Sequence, residues 1–521
     1  MRSPLAEKYL SLGMAVHRER QSAAAEDFYR LALNEAPNDG EILVLLAEAL
    51  REQDKAGDAL TTLGELGTPS ALNSRGMCLA DLGRMNEALP VLAQAVSLAP
   101  SDPDPLVNLA NLVARMSRVE EAMGYYLAAL KLAPLHVGAL SGLSLLERDR
   151  RHFGNALECA RRAIGQEPGR ADLWNNLALV QDEMGLRADA ETSYRRCLSL
   201  APSHAEARCN LGMTLLAQGH LIEGFKAYEA RWRRPDMPPR PFAQPQWQGE
   251  SLTGKAILLH GEQCLGDSLH FCRYAPLVKD KGAARVILEV QAPLVPLMRS
   301  LDGVDQIVAQ GTALPAFDCH CPLLSLPTAF ATSLETIPAN IPYLKADPAL
   351  ALEKRRWLDS VSGLKIGLVW QGNAKYRGED WRSPGLELFA QVAHARQDAK
   401  IVCLQANGLG AFLAAMGDQA LDLGHEVDAD TVPFAETAAL LAGLDLVIAS
   451  DTSVPHLAGA LGAPVWMALP YAAEWRWLEG RTDSPWYPSL RLFRQAKPDD
   501  WTAVRQQMIS ALQTHRGTPC A

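Results

Sequence analysis

Proline recurs every 34 residues, at Pro100, Pro134, Pro168 and Pro202, each time directly after an Ala or Glu that closes an apolar-periodic segment. A fixed period of this length is too short for a domain and too long for one helix, so each period must be a supersecondary unit that cannot bury its apolar face alone. The other positions keep phase. Ala88, Ala122, Ala156 and Ala190 occupy one site, Leu92, Tyr126, Ala160 and Tyr194 a second, and Leu72, Leu106, Leu140 and Trp174 a third. The small residues Gly76, Ala110, Ser144 and Ala178 share a fourth, where they let paired helices approach closely.

The register runs back through Tyr29, Ala25, Gly13 and Tyr9 and forward through Leu211, Gly212, Gly224 and Tyr228, with one shortened unit before Pro69. About seven units of the tetratricopeptide period therefore span residues 5–234. Stacked units form a superhelix with a long concave surface, suited to an extended peptide. Asn108, Asn175, Asn176 and Asn210 lie on the first helices of their units. Read as a ladder, their amides would hydrogen-bond the backbone of a bound peptide whatever its sequence; read plainly, they are solvated faces.

The period then changes. Residues 236–250, rich in proline, break helix repeatedly and are expected to be a linker. Beyond them, short buried strands alternate with helices: Ala256–His260, Arg285–Val290, Lys365–Trp370, Lys400–Leu404, Asp445–Ala449 and Val465–Leu469. Alternation of this kind implies parallel, doubly wound sheets. The expected organisation is α followed by α/β, with repeats over 1–235, one Rossmann-like half over 251–350 and a second over 351–521 that ends in a helix. Ligands of such sheets sit beyond the carboxyl ends of the strands, which directs attention to three loops.

In the first loop Asp267 stands at a helix start, as a cap or as a carboxylate able to take a proton from an attacking hydroxyl. His260 and His270 are close enough in sequence to serve as the base instead. The second loop offers Lys375, Arg377 and Arg382 to a negative group. In the third, Asp451, Thr452 and Ser453 follow a strand and open a helix that carries His456 and closes at Gly462 and Pro464. The exposed amides of a helix N-terminus make an anion site; the alternative is that Asp451 merely caps it.

Gly266-Asp267 after the first strand, the loop from Gly372 to Arg382, and Asp451-Thr452 followed by His456-Leu457 make residues 251–497 resemble glycosyltransferase family 9, the heptosyltransferase type, with the GT-B fold of two Rossmann-like domains. Joined to tetratricopeptide repeats, the chain resembles bacterial protein glycosyltransferases, those acting on flagellin among them. The resemblance implies Asp267 as base, with Lys375, Arg382, Asp451, Thr452, Ser453 and His456 holding a nucleotide-sugar. It also implies a Ser or Thr hydroxyl of a repeat-bound protein as acceptor, and metal-independent inverting transfer with no cofactor. Two other classes compete: a heptosyltransferase-like enzyme acting on a glycan, and a non-catalytic repeat adaptor with a degenerate transferase domain.

Composition removes some partners. With 50 Lys and Arg against 60 Asp and Glu the chain lacks the basic excess that nucleic-acid binding relies on. No apolar run approaches the ~18 residues of a membrane span, and the N-terminus lacks an apolar leader core, so a cytoplasmic protein is expected. Ten scattered cysteines fit reduced thiols. Cys319, His320 and Cys321 alternate and would point to opposite faces of a strand, which argues against a metal site there.

Overall fold

The computed structural model describes residues 2–234, 236–373, 378–428 and 433–515. The first fourteen helices form seven consecutive pairs, from Pro4–Arg18 with Ser22–Glu35 to Ala205–Ala217 with Leu221–Tyr228. They correspond to the repeat units expected from the proline spacing. The recurrent alanines Ala88, Ala122, Ala156 and Ala190 are fully buried, as small residues at a close helix contact must be. Large side chains of second helices fill the space that small residues leave on first helices. A Cβ on Gly13 would lie 2.5 Å from the Tyr29 ring, and one on Gly76 2.5 Å from Leu92. Trp174 departs from the leucines of its site: it is half-exposed and its indole N–H donates to the Pro168 carbonyl at 2.9 Å.

The chain divides into two compact units, residues 1–181 with 199–202, and residues 182–198 with 203–521. The dividing line falls inside the helix array and not at the proline-rich stretch. In the second unit the last helix pair shares one apolar core with the α/β part. Leu216, Leu221 and Phe225 belong to the same cluster as Ile257, Phe271, Leu457 and Trp486, and Phe225 packs edge-on against Trp475 at 5.5 Å between centroids. Residues 236–250 are not a free linker either. Gln246 bridges to His320, and the Trp247 backbone N–H donates to the His320 carbonyl at 2.7 Å, so the segment lies against a sheet edge.

Ten strands follow: β1 (Ala256–His260), β2 (Arg285–Val290), β3 (Gln306–Ala309), β4 (Cys319–Pro322), β5 (Leu364–Val369), β6 (Ala399–Cys403), β7 (Ala420–Leu421), β8 (Leu446–Ala449), β9 (Val465–Leu469) and β10 (Leu490–Arg494). They build two parallel sheets, β3-β2-β1-β4 and β10-β9-β8-β5-β6-β7. Each starts in the middle and reverses direction once, the order of a doubly wound α/β sheet. The reversal falls between β1 and β4 in the first sheet and between β5 and β8 in the second, so the loops after β1, β5 and β8 leave from the points where such sheets open a crevice. Among the described residues no helix is long and apolar enough to cross a membrane.

Close helix approach makes one stability prediction. A Cβ on Gly212 would meet the Tyr228 backbone nitrogen at 2.6 Å and the Gly224 carbonyl at 2.9 Å, neither of which can rotate away. Gly212→Ala should cost about 1–3 kcal/mol through overpacking. Gly124→Ala, in an exposed helix interior with nothing within 4 Å, should stabilise by about 0.5–1 kcal/mol. Urea unfolding of the two variants checks both signs.

Candidate functional site

The loops after β1 and β8 come together. β1 runs through Gly261–Cys264 into the helix Leu265–Phe271, and β8 through Ser450–Thr452 into the helix Ser453–Leu461. Their first turns touch: a Cβ on Gly266 would sit 3.3 Å from His456 Cδ2 and 3.8 Å from Ser453 Cα. Glycine at this position permits the contact.

At the second helix the capping residue is Thr452, in extended conformation, and no side chain caps the helix. Asp451 therefore does not act as the cap. The Thr452 hydroxyl is buried with no partner among the described residues. Since Pro455 has no N–H to satisfy, the uncapped donors are the amides of Ser453 and Val454, at the positive end of a nine-residue helix. Asp451 is buried just ahead of them, and desolvation holds its carboxyl above the usual range, with Arg382 opposing the shift.

Asp267 caps its own helix and also faces the second half. Its Oδ2 accepts from the Cys264 N–H at 3.0 Å and from the Cys264 thiol at 2.9 Å, while Oδ1 binds the Arg476 guanidinium. Arg476 lies in the short turn Trp475–Trp477 that follows β9, stacked 4.2 Å over the Trp475 ring, and reaches Glu474 with its other nitrogen. One guanidinium thus bridges two carboxylates. Although a third of the Glu474 side chain remains accessible, the surrounding protein desolvates the carboxyl and pushes it up to about 7, Asp451 and Asp267 adding to the effect and Arg476 opposing it.

Beneath these groups His270 Nδ1, His456 Nδ1 and the Tyr487 hydroxyl form a closed triangle of 3.0, 3.0 and 3.3 Å. Burial holds both imidazoles well below their ordinary pKa, so they are neutral. The Tyr487 hydroxyl has one proton, so it donates to one Nδ1 and accepts from the other, which fixes opposite tautomers. His456 stacks on Trp477 at 5.1 Å. Arg273 closes the floor, lying 4.4 Å over the Tyr487 ring and donating to the Trp486 carbonyl at 2.6 Å.

The structure thus gathers Asp267, Asp451, Thr452, Ser453 and His456, with Arg382 bearing on Asp451. Arg382 itself donates to Glu379 at 2.8 Å. Lys375 and Arg377 lie outside the described residues. His270 belongs to the buried triangle, and His260 pairs with His320 at 3.2 Å, its pKa pushed down to about 3 by burial. In the repeats, Asn108 donates to Asn73 and Asn176 to Ser141, both at 3.0 Å. Asn175 and Asn210 are buried, so neither presents its amide to a groove. An Asp-x-Asp spacing does occur in the second half, at Asp428 and Asp430. Asp428 accepts from the Phe434 and Glu436 amides at 3.0 and 2.8 Å and from the Thr437 hydroxyl, tying down the start of the helix Ala435–Leu441; Asp430 lies outside the described residues. Among the described residues no three His, Cys, Asp or Glu gather as metal ligands do.

Sequence reasoning missed Glu474, Arg476 and Arg273. A signal existed in the first pair, since charged residues alternating with Trp475 and Trp477 in a largely apolar stretch need buried partners.

Comparison with known proteins defines the class of the helical part: the tetratricopeptide repeat family matches residues 79–137 and 171–204. Along most of its length the chain is 25% identical, over 509 residues, to Protein FlbA of Caulobacter vibrioides, covering 83% of this chain and 82% of that one. Among solved structures, a tetratricopeptide repeat protein from Parabacteroides merdae matches at 18% identity and a TM-score of 0.34, over 44% of this chain and 92% of that one. The APC/C hetero-tetramer Cut9-Hcn1 matches at 18% identity and a TM-score of 0.37, over 40% of this chain and 43% of that one. This chain therefore spans less than half of the latter.

Glu474 supplies a pH test. Its folded pKa of about 7 lies above the ~4.3 of an unfolded glutamate. The folded chain binds that proton more tightly, so the stability Glu474 contributes is complete below pH ~4.3 and is lost as pH rises through about 7. Urea unfolding at a series of pH values should show wild type losing stability relative to Glu474→Gln across this window. A gap between the two that does not change with pH would remove the raised carboxyl.

Proposed function

We propose that the chain is a metal-independent, inverting glycosyltransferase of GT-B type that moves a sugar from a nucleotide-sugar to a Ser or Thr hydroxyl of a protein acceptor, flagellin being a candidate. The observation that carries this reading is the apposition of two first turns: a carboxylate at Gly266-Asp267 beside an uncapped helix N-terminus at Ser453. A transferase needs both, a proton acceptor for the attacking hydroxyl and a fixed positive field for the departing phosphate.

In this reading the donor diphosphate accepts from the Ser453 and Val454 amides and the Thr452 hydroxyl, whose lack of a partner among the described residues suits it to a ligand oxygen. The acceptor hydroxyl attacks the anomeric carbon on the face opposite the phosphate. The new carbon–oxygen bond forms as the bond to the phosphate oxygen breaks, and the electron pair leaves with the phosphate. The hydroxyl proton passes to Asp267. A carboxylate has about four lone-pair positions, and three are taken by Arg476, the Cys264 amide and the Cys264 thiol. One remains for the substrate proton, already directed by the other three. Arg382 and the helix terminus meet the charge that develops on the leaving group, with Lys375 proposed beside them. The repeats bind the acceptor chain, where Asn108 and Asn176 have amides near the surface, and binding energy spent on that remote segment serves the reacting centre.

Asp267→Asn keeps the shape of the cap and removes the base. Transfer of radiolabelled sugar should fall by about 10²–10⁴-fold, while affinity for the nucleotide, followed by thermal shift, stays within a few fold. Turnover retained at the wild-type level would take Asp267 out of the base role.

A further inference from the structure

The turn that carries Arg476 does not hold its shape unaided. Leu478 within it has φ +50° and ψ 170°, a backbone conformation that a residue with a side chain rarely adopts. Such a residue persists where its surroundings over-determine it. Two arginines from elsewhere in the second compact unit do so here. Arg494, at the end of β10, donates to the carbonyls of Trp477 and Leu478 at 3.1 and 2.6 Å. The other is Arg187.

Arg187 breaks the pattern of the repeats. It is the first residue of the helix Arg187–Leu200, and the residues in phase with it, each opening the second helix of its own pair, are Met85, Val119, Phe153 and Leu221. An apolar site is thus occupied by a cation that is only 8% exposed, which is unfavourable unless the charge is fully paired. Its partners are specific. One terminal nitrogen donates to Asp182 at 2.8 Å, and the second oxygen of Asp182 accepts from the Thr214 hydroxyl at 2.9 Å, so the guanidinium is fixed from the repeat side. The other terminal nitrogen donates to the Ala473 carbonyl at 2.9 Å, and Nε lies 3.4 Å from Glu479 Oε1. One side chain therefore reaches both ends of the segment Ala473–Glu479. The Glu479 amide completes the hold by donating to the Ala217 carbonyl at 2.9 Å. Arg476 stands midway between the two anchored ends.

We infer that Arg187 is a positioning residue for the proposed transfer: from the sixth helix pair it holds the Ala473–Glu479 turn so that Arg476 meets Asp267 and keeps the free lone pair of that carboxylate aimed at the acceptor hydroxyl. This role rests on the transferase reading of the Asp267 site. It adds that the repeat array supplies part of the support of the reacting groups as well as a surface for the acceptor chain. A misplacement of about 1 Å transmitted from such a support costs on the order of 10²-fold in rate.

The test is a double-mutant cycle on the full chain, with turnover read as nucleotide released from UDP-N-acetylglucosamine, GDP-mannose or ADP-glucose in the presence of flagellin. Arg187→Gln should lower kcat by about 10- to 100-fold and leave KM for the nucleotide-sugar within about threefold, because the helix terminus at Ser453 is untouched. Combined with Arg476→Gln, it should lower kcat no further than Arg476→Gln alone, since Arg187 then has nothing left to aim. A merely structural role would instead multiply the two losses. Should Arg187→Gln fail to fold, as judged by its melting curve, Arg187→Lys takes its place in the cycle, keeping the charge but not the fork that spans Asp182 and Ala473. Wild-type kcat in a folded Arg187 variant, or losses that multiply, would overturn the role and leave the transferase reading standing. A wild-type chain that releases no nucleotide from any of the three donors would remove that reading and the role together.

Discussion

The contact between Gly266 and the first turn of the helix Ser453–Leu461 is the constraint on which the α/β unit depends. Two parallel sheets of unequal size, each with its own reversal of strand order, have their loops brought to one place by this approach of backbone to side chain. The surrounding polar groups then have little freedom. Asp267 meets Arg476, His270 meets His456, and Tyr487 locks the two imidazoles into complementary tautomers. Buried polar networks of this kind are costly when incomplete and specifying when complete. His270 Nε2 has no partner among the described residues, but the triangle of His270, His456 and Tyr487 still ties one α/β half to the other.

The same packing accounts for the division of labour among charges. Arg476 is held between Asp267 and Glu474, so that its positive charge is shared and Asp267 keeps an open lone pair. Asp451 sits behind the uncapped terminus and facing Arg382. Carboxylates that are crowded and partly desolvated are what a proton-transferring cleft needs. The close core contact of Phe225 with Trp475 adds a physical link from the last repeat pair to the turn bearing Arg476, so that helix is part of the wall of the site and not an appendage.

Much of this was legible in the sequence, for identifiable reasons. The repeats declare themselves because a 34-residue period repeats the same packing problem, and Ala88, Ala122 and Ala156 have only one solution to it. Strands β1, β2 and β9 are short, mostly apolar runs with nearly every residue buried, and their bounds agree with the sequence reading. Of the strands that were not anticipated, β3 is a partly exposed edge strand, β7 has two residues, and β10 carries Arg491 and Arg494 among its apolar residues. Within the site, residues next to strand ends were visible because topology places them there. Arg476 and Glu474 were hidden because their importance comes from partners more than 200 positions away in the case of Arg476 and Asp267, a pairing that local pattern does not encode. The Asp428-x-Asp430 spacing shows the converse: a familiar pattern whose first carboxylate is used up in tying the start of a helix.

The central claim is that the turns at Gly266 and Ser453 form one site for an activated sugar, gripped by its phosphates. Crystals of the chain soaked with UDP, GDP or ADP test it most directly. The account predicts phosphate density within hydrogen-bond distance, about 2.7–3.2 Å, of the Ser453 and Val454 amides, with the outer phosphate directed toward Asp267. A nucleotide bound with its phosphates elsewhere, leaving that helix terminus to solvent, would contradict it.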